Sequence, residues 1–199
     1  VSSADGTNEY FGGVGERTEE MKKNHASLTT FWSSNTGDDT SSSSNVLLLG
    51  MHGTDLADNK KLIPTLQQMY NLDGNEAYSL ASRIQSIIQT LPNTYNNPIL
   101  TANAMAIQSR NPDGSKSEKD SIIIGDGVFS FLEWLGLEND GPKYIHAHEY
   151  GHHIQYDLGV KKIGNGWSKS QETRRWEIMA DVFGSYYNAH ANGGRMDSS

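Results

Sequence analysis

The amino-acid sequence predicts a single α+β domain in which a small twisted sheet packs on two helices that carry polar side chains. Short apolar runs typical of strands lie in the middle of the chain, and longer segments with helical periodicity lie on both sides of them. The length of 199 residues suits one domain with a buried core. We divide the chain into an N-terminal segment (1–45), helices with a sheet (46–135) and the two polar helices (136–199).

Composition excludes several classes of protein. The net charge of −8 argues against a nucleic-acid partner, and no apolar run is long enough for a membrane span. Because the chain has no cysteine, any metal ion must be held by His, Asp or Glu. A Ser-, Thr-, Asn- and Gly-rich chain that opens without an apolar signal segment favours a secreted or cell-surface bacterial protein in mature form. Nothing in the sequence indicates an oligomeric state.

The first half of the chain contains three helix candidates and one strand candidate. Residues 16–32 form a possible helix, and the Ser-rich segment 33–45 reads as a mobile loop. Residues 46–50, VLLLG, are typical of a buried strand. The helices that follow, 58–71 and 75–91, are interpreted as packing helices, the first of them doubtful before Pro64.

The central sheet is predicted from two apolar runs. Residues 97–108 and 120–129 have strand-like composition, and the polar segment 109–119 between them contains Asn-Pro and Asp-Gly turn signals. We expect the two runs to be neighbouring, antiparallel strands.

Two helices close the chain. Asp140-Gly141-Pro142 is a helix-start signal, and Gly159 is a plausible end. A second helix is expected over 171–190, with Gly193-Gly194 as its terminator. Helical spacing predicts one packing stripe on each helix: Tyr144, Ala147, Gly151, Ile154 and Leu158 on the first, and Trp176, Met179, Ala180, Phe183 and Tyr187 on the second.

The first of these helices carries the motif HEYGH. His148 and His152 are one turn apart on the same face, so both can bind one ion at about 2.0–2.1 Å. Glu149 projects beside them and can act as a base. We expect His146 to be a surface residue and His153 a neighbour on the helix side, neither of them a ligand. The alternative is a histidine pair on a surface helix that binds no metal.

The second helix offers the third ligand that catalytic zinc requires. Glu177 lies 25 residues after His152, and Asp181 follows one turn later, where it can accept the outer N–H of a ligating imidazole. The alternative is that Glu177 and Asp181 form an exposed acidic face. Like charges at this spacing repel, so a nearby cation would help to explain the pair.

These residues resemble a known clan. HExxH followed by ExxxD is similar to the gluzincin zinc metallopeptidases, and residues 177–184, EIMADVFG, resemble the glutamate helix of thermolysin-like enzymes. Residues 122–127, IIIGDG, and 102–107, ANAMAI, are similar to the strands before their active-site helix. HEYGHHIQ also resembles bacterial neutral zinc metallopeptidases. The resemblance covers about residues 99–190.

The resemblance implies a zincin-like metallopeptidase domain and a zinc-dependent endopeptidase with one zinc ion per chain. It implies the metal ligands His148, His152 and Glu177, the base Glu149 and the outer partner Asp181. A peptide or protein substrate would add as a strand along an edge formed by Asn103, Ala104, Met105 and Ala106. A structural calcium ion is left open.

The transition-state stabiliser is not assigned by the resemblance. Thermolysin-like enzymes carry a stabilising histidine in a helical lobe well beyond the glutamate helix. Either this chain is a clipped or compact version, or another residue has the role. We consider four candidates: His190, Tyr156, Tyr186 and Arg195.

Three other readings differ in ligand set or in activity. A metzincin would need Gly and His where the chain has Gln155 and Leu158, so that reading fails. An aspzincin would take Asp181 or Asp157 as the third ligand. A non-catalytic zinc-containing binding module would keep the ion without turnover.

Overall fold

The computed structural model describes residues 9–35, 46–108, 120–161 and 166–195, and it shows a mixed α+β architecture, as predicted. In the described ranges the helices and strands are α1 (Thr18–Asn35), β1 (Val46–Met51), α2 (Asn59–Tyr70), α3 (Gly74–Ile88), β2 (Ala104–Ile107), β3 (Asp120–Gly125), α4 (Asp126–Trp134), α5 (Gly141–Asp157) and α6 (Lys169–Ala189). Short 3₁₀ turns occupy Gly53–Ala57, Thr94–Asn96 and Pro98–Thr101. Within these ranges, no helix combines the length and apolar character needed to cross a bilayer.

The sheet has β3 at its centre. β1 pairs with β3 in parallel, and β2 pairs with β3 antiparallel, which confirms the predicted relation between the second and third strands. All six residues of β3 are buried. Ile122 and Ile124 of β3 belong to a core that α1, α4 and α5 also build, so the buried face of α5 is fixed against the sheet.

The two apolar runs form shorter strands than predicted. The first run becomes a strand only at Ala104, because Pro98 begins a 3₁₀ turn whose first free N–H groups are capped by Asn97. The second run stops at Gly125, and Asp126 begins α4. The N–H of Gly127 donates to Thr101 Oγ1 at 2.9 Å, which satisfies an N-terminal helix donor that no strand partner takes.

The N-terminal helix, predicted over 16–32, begins and ends later, at Thr18 and Asn35. The expected loop 33–45 begins within α1, because Ser33 and Ser34 bond back to the carbonyls of Thr29 and Thr30 and remain helical. Residues 36–45 and the predicted turn 109–119 lie outside the described residues. The exposed Pro64 lies inside α2 without ending it.

Helices α2 and α3, which the sequence indicated as packing helices, pack on each other. Buried leucines of α2 meet buried alanines of α3, and the four form a small cluster separate from the main core: Leu62, Leu66, Ala77 and Ala81. This small apolar cluster holds α2 and α3 against each other.

Two histidines of α5 are buried, and one of them, His146, was expected at the surface. His146 and His153 have 0% and 1% of their surface exposed. His146 contacts Asn24 at 3.2 Å and His25 at 3.0 Å on α1, and His153 Nδ1 lies 2.8 Å from Asp120 of β3. The expectation of a surface position for His146 is therefore wrong, because polar partners on α1 make its burial possible.

The packing stripe predicted for α5 is only partly correct. Ala147, Gly151 and Ile154 are buried, but Tyr144 and Leu158 at the two ends are exposed. The buried face includes His146, Tyr150 and His153 instead, so the core side of the helix is rotated toward these residues.

Glycines set the close crossing of α5 and α6. A Cβ at Gly151 would lie 2.8 Å from the carbonyl oxygen of Ala180, and a Cβ at Gly184 would lie 3.0 Å from the backbone nitrogen of His148. Only glycine permits backbones this close. The crossing brings the acidic residues of α6 within reach of the imidazoles of α5.

Candidate metal centre

Three side chains converge at the crossing of α5 and α6. Glu177 Oε2 lies 3.3 Å from His148 Nε2 and 3.4 Å from His152 Nε2. The ligand atoms of the three residues lie within 4.8 Å of one another. Ligands at about 2.0–2.1 Å around a tetrahedral ion are separated by roughly 3.3–3.4 Å. The observed separations of Glu177 from the two imidazoles therefore fit edges of one zinc tetrahedron.

The imidazole of His148 is oriented by Asp181. Its Nδ1 lies 2.8 Å from Asp181 Oδ1, and the hydroxyl of Tyr144 contacts the same carboxylate oxygen at 3.4 Å. A carboxylate only accepts hydrogen bonds, so Nδ1 of His148 carries the hydrogen. The lone pair of Nε2 then faces Glu177.

The imidazole of His152 is oriented by Gln155, a role that we did not predict. Its Nδ1 lies 3.0 Å from Gln155 Oε1, and Gln155 Nε2 donates to the carbonyl of Trp176 at 2.7 Å. The second bond fixes which end of the buried amide faces His152, so His152 Nδ1 is the donor. The sequence signal was the i, i+3 spacing of Gln155 from His152, which places the two on one helix face.

When both imidazoles are neutral, the inner side of the site presents acceptors only. The lone pairs of two Nε2 atoms face the carboxylate of Glu177, an arrangement that is unfavourable unless a cation lies between them. Two imidazoles and one carboxylate, each imidazole held by an outer partner, are a donor set that suits Zn²⁺. The residues present thus fit the predicted metal.

A second group of polar residues lies deeper in the domain. His153 Nδ1 lies 2.8 Å from Asp120, and His153 Nε2 lies 3.2 Å from Asp157. The carboxylates contact opposite nitrogens of one ring. Calcium takes six to eight oxygen ligands, so this group does not support the structural calcium ion that the sequence left open. Asp157 faces His153, whereas within the described part of the chain the ion pairs of His148 and His152 are with Glu177 and Asp181.

Glu149 lies beside the three converging side chains and is buried, with 7% of its surface exposed. Burial raises the pKa of Glu149 to about 7, and the charge of Glu177 acts in the same direction. His152 and the N–H of Ala106, which donates to the carboxylate, oppose this rise in the pKa. A carboxyl group with a pKa near neutrality is suited to accept and return a proton.

A cleft of about 870 Å³ opens next to Glu149. One wall is the predicted substrate edge, Asn103 to Ala106, and the other is the first part of α6. The lining residues are Asn103, Ala104, Met105, Ala106, Glu149, His152, Tyr156, Trp167, Lys169, Glu172, Thr173, Trp176 and Glu177. The predicted edge strand and the metal centre thus share one cavity.

The backbone of β2 presents alternate residues to this cleft. The carbonyl of Asn103 accepts a hydrogen bond from the N–H of Gly125 on β3 at 3.0 Å. Because backbone groups alternate in direction along an antiparallel strand, the N–H and carbonyl groups of Ala104 and Ala106 point away from β3. Tyr156 donates its hydroxyl to the carbonyl of Ala106 at 3.2 Å, and Glu149 receives the N–H of Ala106. Ala104 is the other residue of β2 that presents its backbone to the cleft.

Tyr156 is the one stabiliser candidate that lines the cleft. Burial raises the pKa of Tyr156, and the charges of Asp120, Glu149 and Glu177 raise it further. The phenol therefore keeps its proton and remains a hydrogen-bond donor near the metal centre.

The other three candidates lie elsewhere. His190 is 13 residues beyond Glu177, about 20 Å along a helix, where its Nδ1 accepts from the N–H of Asn192. The ring of Tyr186 packs 5.3 Å from that of His190. Arg195 donates to the carbonyl of Ala191. The structure does not bring His190, Tyr186 or Arg195 to the cleft.

No family model, curated protein or solved structure matches the chain.

Proposed function

We propose that the protein is a zinc-dependent endopeptidase with a zincin-like fold, and that His148, His152 and Glu177 hold the ion. One observation carries the proposal: a carboxylate lies at tetrahedral spacing from each of two inward imidazole nitrogens, beside a buried glutamate and an edge strand. The composition fits an enzyme that acts outside the cell on peptide or protein substrates.

The edge strand orients the substrate in this proposal. An extended peptide would pair with the outward N–H and carbonyl of Ala104, main chain to main chain. The N–H and carbonyl of Ala106 can pair with the peptide only when Glu149 and Tyr156 release them. Substrate binding thus frees the two side chains that take part in the reaction.

Glu149 and Tyr156 carry out the proton and charge chemistry. A bound zinc ion would act as a Lewis acid toward the substrate carbonyl and lower the pKa of water. Glu149 takes a proton from the attacking water and delivers it to the leaving nitrogen, so that one C–N bond breaks and one C–O bond forms. Tyr156 donates its hydroxyl hydrogen bond to the oxyanion that develops on the substrate.

The rival function is a zinc-containing binding module without turnover. The bonds that Glu149 and Tyr156 make to Ala106 favour it, because they occupy part of the edge that a substrate needs. A purely structural zinc site, however, is closed by four protein ligands, and this centre offers three beside a cleft.

The two functions are separated by a turnover assay on unfolded protein and on a quenched peptide library. The parent chain should cleave, a chelator should abolish cleavage, and added zinc should restore it. Glu149→Gln should bind about one zinc per chain and lose activity by several orders of magnitude. Zinc binding without turnover by the parent would support the binding module instead.

A further inference from the structure

Helix α4 carries apolar side chains on two faces. Val128, Phe129 and Leu132 are buried in the main core and form its inner face. Phe131 and Trp134 are exposed on the outer face, where a surface helix ordinarily carries polar side chains. A helix that is apolar on both faces is typical of one that is covered on both sides.

The exposed apolar side chains of α4 and of the turn after it form one surface, which we call the α4 patch: Phe131, Trp134, Leu135 and Leu137. Each of them has between 46% and 77% of its surface exposed. The rings of Phe131 and Trp134 have centroids 5.8 Å apart, and Leu135 lies one turn from Phe131. The four side chains expose on the order of 400 Å² of apolar surface, a size at which a surface patch is often a binding site. None of the four lines the cleft.

The charged residues that flank the α4 patch are acidic. Residues 120–142 contain no Lys or Arg, and Glu133, Glu138 and Asp140 lie close to the exposed apolar residues along the chain. Lys143 lies 3.6 Å from Asp140, but within the described ranges neither Glu133 nor Glu138 forms an ion pair with a Lys or Arg. A partner with Lys or Arg beside its own apolar side chains would therefore complement both the surface and the charge of the patch.

The same charges disfavour two other occupants of the patch. A second copy of the chain, bound patch to patch, would bring the acidic residues of the two chains together, and like charges across an interface weaken binding. Anionic lipids attract Lys and Arg, and helices that lie on a bilayer carry such residues on their polar face. The α4 patch therefore fits a basic polypeptide better than a second copy or a lipid surface.

The dimensions of α4 favour a helix as the partner. α4 has nine residues and is about 13 Å long, which matches two to three turns of a second helix laid along it. Phe131 and Leu135 are about 6 Å apart along the axis, the spacing of an i, i+4 pair on a partner helix. Tryptophan is among the side chains that contribute most to binding at protein interfaces, so Trp134 is expected to be the main contact.

We propose that the α4 patch binds a basic amphipathic helix of a partner protein. The apolar face of that helix packs on Phe131 and Trp134, and its Lys or Arg side chains lie beside Glu133 and Glu138. This inference does not depend on the proposed peptidase function, because it uses no residue of the metal centre or of the cleft.

Two labelled peptides of about 18 residues test the proposal, both with leucine on one helix face and with either lysine or glutamate on the other. Fluorescence anisotropy measures their binding to Glu149→Gln, a background that prevents cleavage of the probe. The lysine peptide should bind about 10-fold or more tightly than the glutamate peptide at low salt. Added salt should reduce the difference, because it screens the exposed carboxylates.

Variants in the same background locate the binding site. Trp134→Ala should weaken binding of the lysine peptide about 10-fold or more. Glu133→Gln should weaken it about two- to fivefold at low salt, as expected for an exposed charge pair. The matched controls are Tyr78→Ala on α3 and Glu19→Gln on α1, both exposed, and each should bind within about twofold of the background. Circular dichroism checks that each variant is folded.

Four results would overturn the proposal. Neither peptide may bind, or both may bind equally. Binding that Trp134→Ala leaves unchanged would place the peptide in the cleft or elsewhere. Binding to phosphatidylcholine vesicles that Trp134→Ala abolishes, without a preference for the lysine peptide, would assign the patch to a lipid surface. A dimer in sedimentation velocity that Trp134→Ala dissociates would assign it to a second copy.

Discussion

Glu177 and Asp181 lie one turn apart on α6, yet they contact opposite nitrogens of the same imidazole. Glu177 Oε2 is 3.3 Å from the inner Nε2 of His148, and Asp181 Oδ1 is 2.8 Å from the outer Nδ1. Glu177→Ala removes one of the three proposed ligands. Four-ligand zinc sites bind with about 10–16 kcal/mol, or roughly 2.5–4 kcal/mol per ligand, so the dissociation constant for zinc should rise by about 10²–10³-fold.

Asp181→Asn should have a smaller effect. The amide keeps an acceptor oxygen near His148 Nδ1 and loses only the charge, and Asp181 is half exposed, so solvent screens that charge. We expect a loss of about 10-fold in zinc affinity, at the lower end of the range for outer partners of metal ligands.

The assay is a zinc titration of metal-stripped protein against a chelating indicator at about pH 7.5, with circular dichroism to check folding. Asp140→Asn, an exposed carboxylate at the start of α5, is the matched control and should bind zinc within about twofold of the parent. A larger loss for Asp181→Asn than for Glu177→Ala would make Asp181 the ligand. Parent-like affinity in both variants would place the ion elsewhere.

Three further predictions concern the edge, the outer partner of His152 and the histidine contact on α1. Ala104→Pro removes the N–H that faces the cleft, so KM should rise about 10-fold or more while the zinc content stays the same. If the cleavage kinetics of this variant equal those of the parent, the substrate binds elsewhere. Gln155→Leu removes the acceptor for His152 Nδ1 and should lower zinc affinity about 10–100-fold. Gln155→Glu keeps an acceptor oxygen and should retain most of the affinity. Equal zinc affinities in the two variants would contradict the orienting role of Gln155. Burial lowers the pKa of His25 in the folded protein below the unfolded value of about 6.5. The free energy of unfolding is therefore highest above that unfolded pKa and falls as the pH drops below it. Between pH 7.5 and 5.5 the loss from His25 should reach about 1.4 kcal/mol. Urea unfolding of the parent and of His25→Gln at the two pH values should show the smaller loss in the variant, and equal losses would refute the assignment.

The residues of the metal centre were predictable where one helix fixes their spacing. His148, Glu149 and His152 follow from helical geometry alone. The contact of Glu177 with both imidazoles depends on how two helices cross. Gly151 and Gly184 set that crossing, but their role becomes visible only when the facing backbone is known.

The burial of His146 and His153 could not be predicted from α5. His146 bonds to His25, 121 residues earlier, and His153 bonds to Asp120, 33 residues earlier. Polar residues enter a core when distant partners satisfy them, and helical periodicity carries no information about those partners. The start of α4 at Asp126 could not be predicted from the local sequence either, because the N–H of Gly127 donates to Thr101 Oγ1, 26 residues away.

The proposed centre is a zinc ion on three protein ligands with one position open to the cleft. The most direct test is anomalous diffraction at the zinc absorption edge from zinc-loaded crystals. We predict one ion at about 2.0–2.2 Å from the Nε2 atoms of His148 and His152 and from the carboxylate of Glu177, with no fourth protein ligand. An ion closed by a fourth side chain, an ion at His153, or no bound ion would contradict the account.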